Sequence, residues 1–64
     1  MLASGFVLSS DHHFRVAMHN GLPVEVWLHG ELLDYGGPIE AINEHFATIQ
    51  GSKYPRSSCV FKIR

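Results

Sequence analysis

Phe14-Arg15-Val16-Ala17-Met18-His19-Asn20-Gly21-Leu22-Pro23-Val24-Glu25-Val26-Trp27-Leu28-His29 is the stretch whose reading decides the fold. Phe14, Val16 and Met18 alternate with Arg15, Ala17 and His19, and Val24, Val26 and Leu28 alternate with Glu25, Trp27 and His29. Period-two alternation on both sides of Asn-Gly reads as a β-hairpin. The phase of the alternation sets the register. A two-residue loop at Asn20-Gly21 would bring Val16 opposite Glu25 and Phe14 opposite Trp27, mixing the faces. Pairing Met18 with Val24 aligns Val16 with Val26 and Phe14 with Leu28, and only a one-residue slip separates the two arrangements. A longer loop, Asn20-Gly21-Leu22, or a bulge is therefore expected. Pro23 suits it, because proline donates nothing to the ladder. The other face then pairs Ala17 with Glu25, Arg15 with Trp27 as a cation–π contact, and His13 with His29.

Outward from this stretch the signals shorten. Gly30 bends or ends the second strand, Glu31 to Tyr35 continues it, and Gly36-Gly37 is a turn. Residues 38 to 50 admit two readings. Ile39, Ile42, Phe46 and Ile49 form a helical stripe, with Pro38 suited to the first turn and Gly51 to a position past the end. Alternatively, strands Pro38 to Ile42 and Phe46 to Gln50 turn at Asn43-Glu44-His45. The strand reading is favoured slightly. At the C-terminus Cys59, Phe61 and Ile63 form one face of a strand, and Ser58, Val60, Lys62 and Arg64 form the other. Pro55 starts that strand near Arg56 or places it on an edge.

The chain has 64 residues, enough for one small domain over residues 1–64. A domain of that size buries only about 60% of its unfolded surface and gains stability from disulfides, metal or oligomerisation. Cys59 is the single cysteine, so no disulfide forms within the chain. A lone thiol, and a stretch from Met1 to Ser10 too short and too poor in basic residues for a signal peptide, suit a cytoplasmic protein. No apolar run approaches a membrane span. Hydrophobic residues make up 45% and charged residues 17%, the balance of a folded chain. Oligomerisation is then the expected source of added stability.

The net charge of −1 hides a segregation. Lys53, Arg56, Lys62 and Arg64 are four of the five basic residues, and all six acids precede them. Such an arrangement can steer a partner, bind phosphate, meet an acidic face of a second copy, or simply protect an edge strand. A nucleic-acid domain usually carries a stronger basic excess. Two histidines, His13 and His29, do not complete a zinc site, but they could titrate together near neutral pH. No nucleophile motif and no glycine-rich phosphate loop is present, so neither catalysis nor a cofactor is expected. Cys59 reads as a small buried hydrophobe. Trp27 is either an interface anchor or core.

Asn20-Gly21 after an alternating strand, Gly37-Pro38-Ile39-Glu40, and Ile49-Gln50-Gly51 followed by Tyr54-Pro55-Arg56 resemble segments of the Sm-like family, which includes the bacterial Sm-like RNA chaperone. The resemblance implies a bent five-stranded sheet, rings joined through edge strands, and RNA bound by loop residues. It would make Tyr54 and Arg56 RNA contacts, with Asn43 near the other binding loop.

The fold expected is therefore all-β, a small bent-sheet SH3/Sm-like barrel of about five strands. The alternative is α+β, with a helix at 38–50 packed on a sheet. Three functions follow. The first is a non-enzymatic module that self-associates, using Arg15, Trp27 and the basic C-terminal residues. The second is an RNA-binding protein using Lys53, Tyr54, Arg56, Lys62 and Arg64. The third is a metal- or pH-responsive protein using His13 and His29.

Overall fold

The computed structural model describes residues 2–64. Its elements run β1 (Val7–Leu8), α1 (Asp11–His19), β2 (Val24–Leu28), β3 (Glu31–Asp34), β4 (Ile39–Ile42), β5 (Phe46–Ile49), β6 (Ser52–Pro55) and β7 (Val60–Ile63). Strand outweighs helix, 46% to 14% of the chain, as the all-β reading expects. Seven strands form two antiparallel sheets, ordered β1-β7-β2-β3 and β4-β5-β6. The sheets bend toward each other without closing a barrel. Among the described residues an isolated β-bridge, Pro23 to Pro38, links them.

The main correction falls on the opening stretch. Residues 11 to 19 are a helix, not a strand. Ser10 caps its start, its hydroxyl accepting from the His13 backbone N–H at 3.3 Å. At the other end the Gly21 N–H donates to the Met18 carbonyl and the Leu22 N–H to the Ala17 carbonyl. That pair of bonds is the Schellman motif, and Gly21 stands at its left-handed position with φ 63°. Asn20-Gly21 therefore ends a helix and turns no hairpin. The helix buries Phe14 and Ala17, three residues apart, where a strand would have buried Phe14 and Val16. With residues 13 to 19 helical, the pairs Met18–Val24, Arg15–Trp27 and His13–His29 do not form.

The hairpin that does involve β2 lies on its other side. His29 and Gly30, with φ of 49° and 78°, turn the chain into β3. Gln50 and Gly51, with φ of 51° and 79°, do the same between β5 and β6. Both have the left-handed pair of a type I′ turn, which matches strand twist. Glu31 to Asp34 is thus an antiparallel return strand rather than a continuation of β2.

Residues 38 to 50 take the strand reading, with the turn at Asn43. The Asn43 Oδ1 accepts from the His45 and Phe46 backbone N–H groups, each at 2.8 Å. That side chain mimics the backbone of a turn and so stops the helical alternative locally.

The core lies between the sheets. Leu8, Phe61 and Val26 sit side by side on β1, β7 and β2, and Val24 pairs with Ile63. All five are buried, against Ile39, Ala47 and Ile49 from the second sheet. Phe14 closes one end, edge-on to Phe61 at 5.2 Å between ring centroids. The Phe61 and Ile63 face expected of the last strand is the inward one, and Cys59 is half-buried against it. Gly36 must be glycine, because its φ is +58° and a Cβ would run into the Val24 carbonyl.

Candidate functional site

The outer face of the four-stranded sheet follows from register. Residues paired across antiparallel strands share a face. Val7 pairs with Lys62 and Lys62 with Glu25, giving one row across β1, β7 and β2. Val60 pairs with Trp27 and Trp27 with Leu32, giving a second row across β7, β2 and β3. Val7 is 46% exposed, and Val60 and Leu32 are each 43% exposed, so solvent covers these rows. A bulge in β3 at Leu33 leaves that residue exposed as well.

Trp27 is half-buried at the middle of this face. Its indole N–H donates to Glu25 Oε1 at 3.0 Å, and Lys62 Nζ lies 5.0 Å from its ring centroid. The cation over Trp27 therefore comes from β7, not from Arg15. Arg15 is exposed on α1. The face is an apolar surface with one acid and one base at its centre, both held in place by the same indole.

The other basic residues are distributed differently. Arg56 lies against Phe14, its guanidinium 4.3 Å from the ring centroid. It donates to the Asn43 carbonyl and to Asp11 Oδ1, each at 2.6 Å, and its side chain is only 14% exposed. The hydrogen bond and charge of Arg56 hold the Asp11 carboxyl below its usual range. Arg56 thus clasps α1 to the β4–β5 turn. Arg64 donates to the Tyr35 and Gly36 carbonyls at 3.0 and 2.7 Å and stacks on the Tyr35 ring. Lys53 is exposed on β6.

Tyr54 is half-buried and donates its hydroxyl to Asp34 Oδ2 at 2.9 Å, while Asp34 Oδ1 accepts from the Gly36 N–H at 2.7 Å. Burial first, then that bond, pushes the Tyr54 phenol up. Asp34 and Tyr54 so tie the two sheets together. The structure brings Asn43 and Arg56 together, but through this chain's own hydrogen bond.

His13 lies on α1 and His29 in the turn after β2. His13 accepts at Nδ1 from the Ser9 backbone N–H at 3.1 Å and meets the Phe6 ring edge-on at 4.8 Å. His29 occupies the exposed β2–β3 turn. Among the described residues no three His, Cys, Asp or Glu side chains converge as metal ligands do. Burial pushes the Cys59 thiol up, which lowers its reactivity.

An open groove of about 540 Å³ runs between α1 and the β4–β5 turn. Met18 and Ile42 supply its apolar lining, Arg15 and Glu44 its charges, and the Asp11–Arg56 pair one wall. No nucleophile lies within it.

Val60 and Lys62 were legible as an outward pair from the alternation of the last strand. Val7 and Leu32 carry no local signal, because their outward direction follows from pairing with distant strands. No helix among the described residues is long and apolar enough to cross a membrane. Comparison with protein-family models, with curated proteins and with solved structures gives no match to this chain.

Proposed function

We propose that the chain is a small non-enzymatic interaction module that self-associates through the outer face of its four-stranded sheet. The observation that carries this reading is the pair of rows Val7–Lys62–Glu25 and Val60–Trp27–Leu32, in which Val7, Val60 and Leu32 stand more than two-fifths exposed around a half-buried Trp27. Exposed apolar patches with polar groups set among them mark interaction sites. The accessible surface of the chain is 3955 Å². A standard contact of about 800 Å² per partner would cover roughly a fifth of it. Association also supplies what a 64-residue core lacks.

RNA binding has less support. Arg56 and Arg64 are engaged by the chain's own carbonyls and rings, and Lys62 is laid over Trp27. Among the described residues Lys53 alone of the basic C-terminal residues has no such engagement. The pH-responsive reading also has less support, since His13 is engaged by Ser9 and Phe6 and His29 lies in the β2–β3 turn, with no ring contact between them among the described residues.

Sedimentation equilibrium from micromolar to millimolar concentration tests the proposal. Wild type is expected to form dimers or larger assemblies. Val60→Asp, a change at an exposed position, is expected to weaken them at least about tenfold with an unchanged circular dichroism spectrum. A wild-type chain that stays monomeric throughout that range refutes self-association.

A further inference from the structure

We infer that the self-associated form is a two-fold dimer in which β7 of one copy lies over β2 of the other, with Lys62 facing Glu25 across the interface. This rests on the proposed self-association and adds its geometry. The occupant of the sheet face is a second copy, and the argument is charge complementarity within one face.

Glu25 and Lys62 are directly paired neighbours on adjacent strands. They are the two charged members of these two rows, one negative and one positive, with Val7 in the same row and Val60, Trp27 and Leu32 in the next. Two copies packed face to face without regard to register can set Lys62 over Lys62 and Glu25 over Glu25. Like charges opposed in a contact cost several kcal/mol. A two-fold axis parallel to the strands and midway between β7 and β2 avoids this. It exchanges the positions of the two strands across the interface. Each Lys62 then meets Glu25 of the second copy, and each Trp27 meets Val60 of the second copy.

An isologous contact of this kind is self-complementary and closes at two copies, so it builds no filament. It also leaves the packing as ordinary sheet on sheet, with layers about 10 Å apart and strands within about 30° of parallel. Trp27 supplies the rigid centre. Its hydrogen bond to Glu25 and its contact with Lys62 already fix both charges before association, which reduces the ordering cost of pairing them.

Zero-length carbodiimide cross-linking of the wild-type chain is the first test, using an equal mixture of ¹⁴N- and ¹⁵N-labelled protein. The species of doubled mass is expected to contain a Lys62–Glu25 cross-link with one label on each side. A doubled species whose mixed-label cross-links lie elsewhere overturns the geometry. Charge exchange is the second test. Glu25→Lys alone and Lys62→Glu alone are each expected to dimerise at least about tenfold more weakly than wild type. Mixing the two folded variants is expected to restore a one-to-one heterodimer, seen by native mass spectrometry. Variants that dimerise as well as wild type, or a mixture that restores nothing, exclude the Lys62–Glu25 contact. A wild-type chain that never dimerises instead removes the functional proposal beneath it, so the two failures are distinguishable.

Discussion

Residues 14 to 19 and residues 24 to 28 read alike in sequence and fold differently. Each alternates apolar with other side chains, and each ends near a glycine. The first is the body of α1, burying Phe14 and Ala17. The second is β2, burying Val24 and Val26. Two or three apolar residues at period two do not separate a strand from one and a half turns of helix, because Phe14, Ala17 and Met18 also lie on one helical face. What separates them is where the backbone hydrogen bonds go. Ser10 and the Gly21 motif satisfy both ends of α1 locally. β2 has β7 on one side and β3 on the other, so no edge remains for residues 14 to 19 to pair with.

Three measurements break or sharpen this contrast. The largest effect is expected in the sheet. Phe61→Ala removes the ring at the centre of the inner row and should cost about 4 kcal/mol, close to the whole stability of so small a domain. Chemical denaturation would show it. A loss below about 1 kcal/mol would mean that the sheet is not the main core.

A middling effect is expected at the helix end. Gly21→Ala forces a side chain into a left-handed conformation and should cost about 1 kcal/mol. Gly21→Asn should cost less, since asparagine tolerates that region. Amide exchange should quicken in residues 11 to 19 before it does in β2 and β7. Equal quickening in both regions would show that the helix does not open separately.

The smallest effect concerns Asp11. The Arg56 hydrogen bond and charge hold its carboxyl below the ordinary aspartate range. A depressed carboxyl stabilises the fold above its unfolded value, and that contribution disappears as pH falls through the folded value. The melting temperature of wild type should therefore fall more steeply below about pH 4 than that of Asp11→Asn. Parallel curves for the two proteins would place the clasp of α1 in Arg56, Asn43 and Phe14 without Asp11.

Part of the working surface was legible and part was not. Trp27 was singled out, and the last strand's alternation set Val60 and Lys62 opposite Phe61 and Ile63. In the sequence Arg56 reads as a binding residue because it belongs to the basic C-terminal set and to the Tyr54-Pro55-Arg56 segment of the Sm-like resemblance. Its real partners, Asp11, Phe14 and Asn43, are distant in the chain and carried no mark of their approach. Asn20-Gly21 misled for a definite reason: a type I′ turn and a helix C-terminus both ask for a left-handed glycine. Ser10 before Asp11 is the local sign of the helix start that the structure shows.

By itself the sequence determined that the chain is mostly β, that residues 38 to 50 can turn at Asn43, and that Phe61 and Ile63 share a face. These follow from side-chain period and turn chemistry, which act over a few residues. Only the tertiary structure decided that residues 11 to 19 are helical, that β2 pairs with β3 and β7, and that Val7, Trp27, Leu32, Val60, Glu25 and Lys62 make one surface. Those outcomes depend on which strand edges are already occupied, and edge occupancy belongs to the whole assembly of strands.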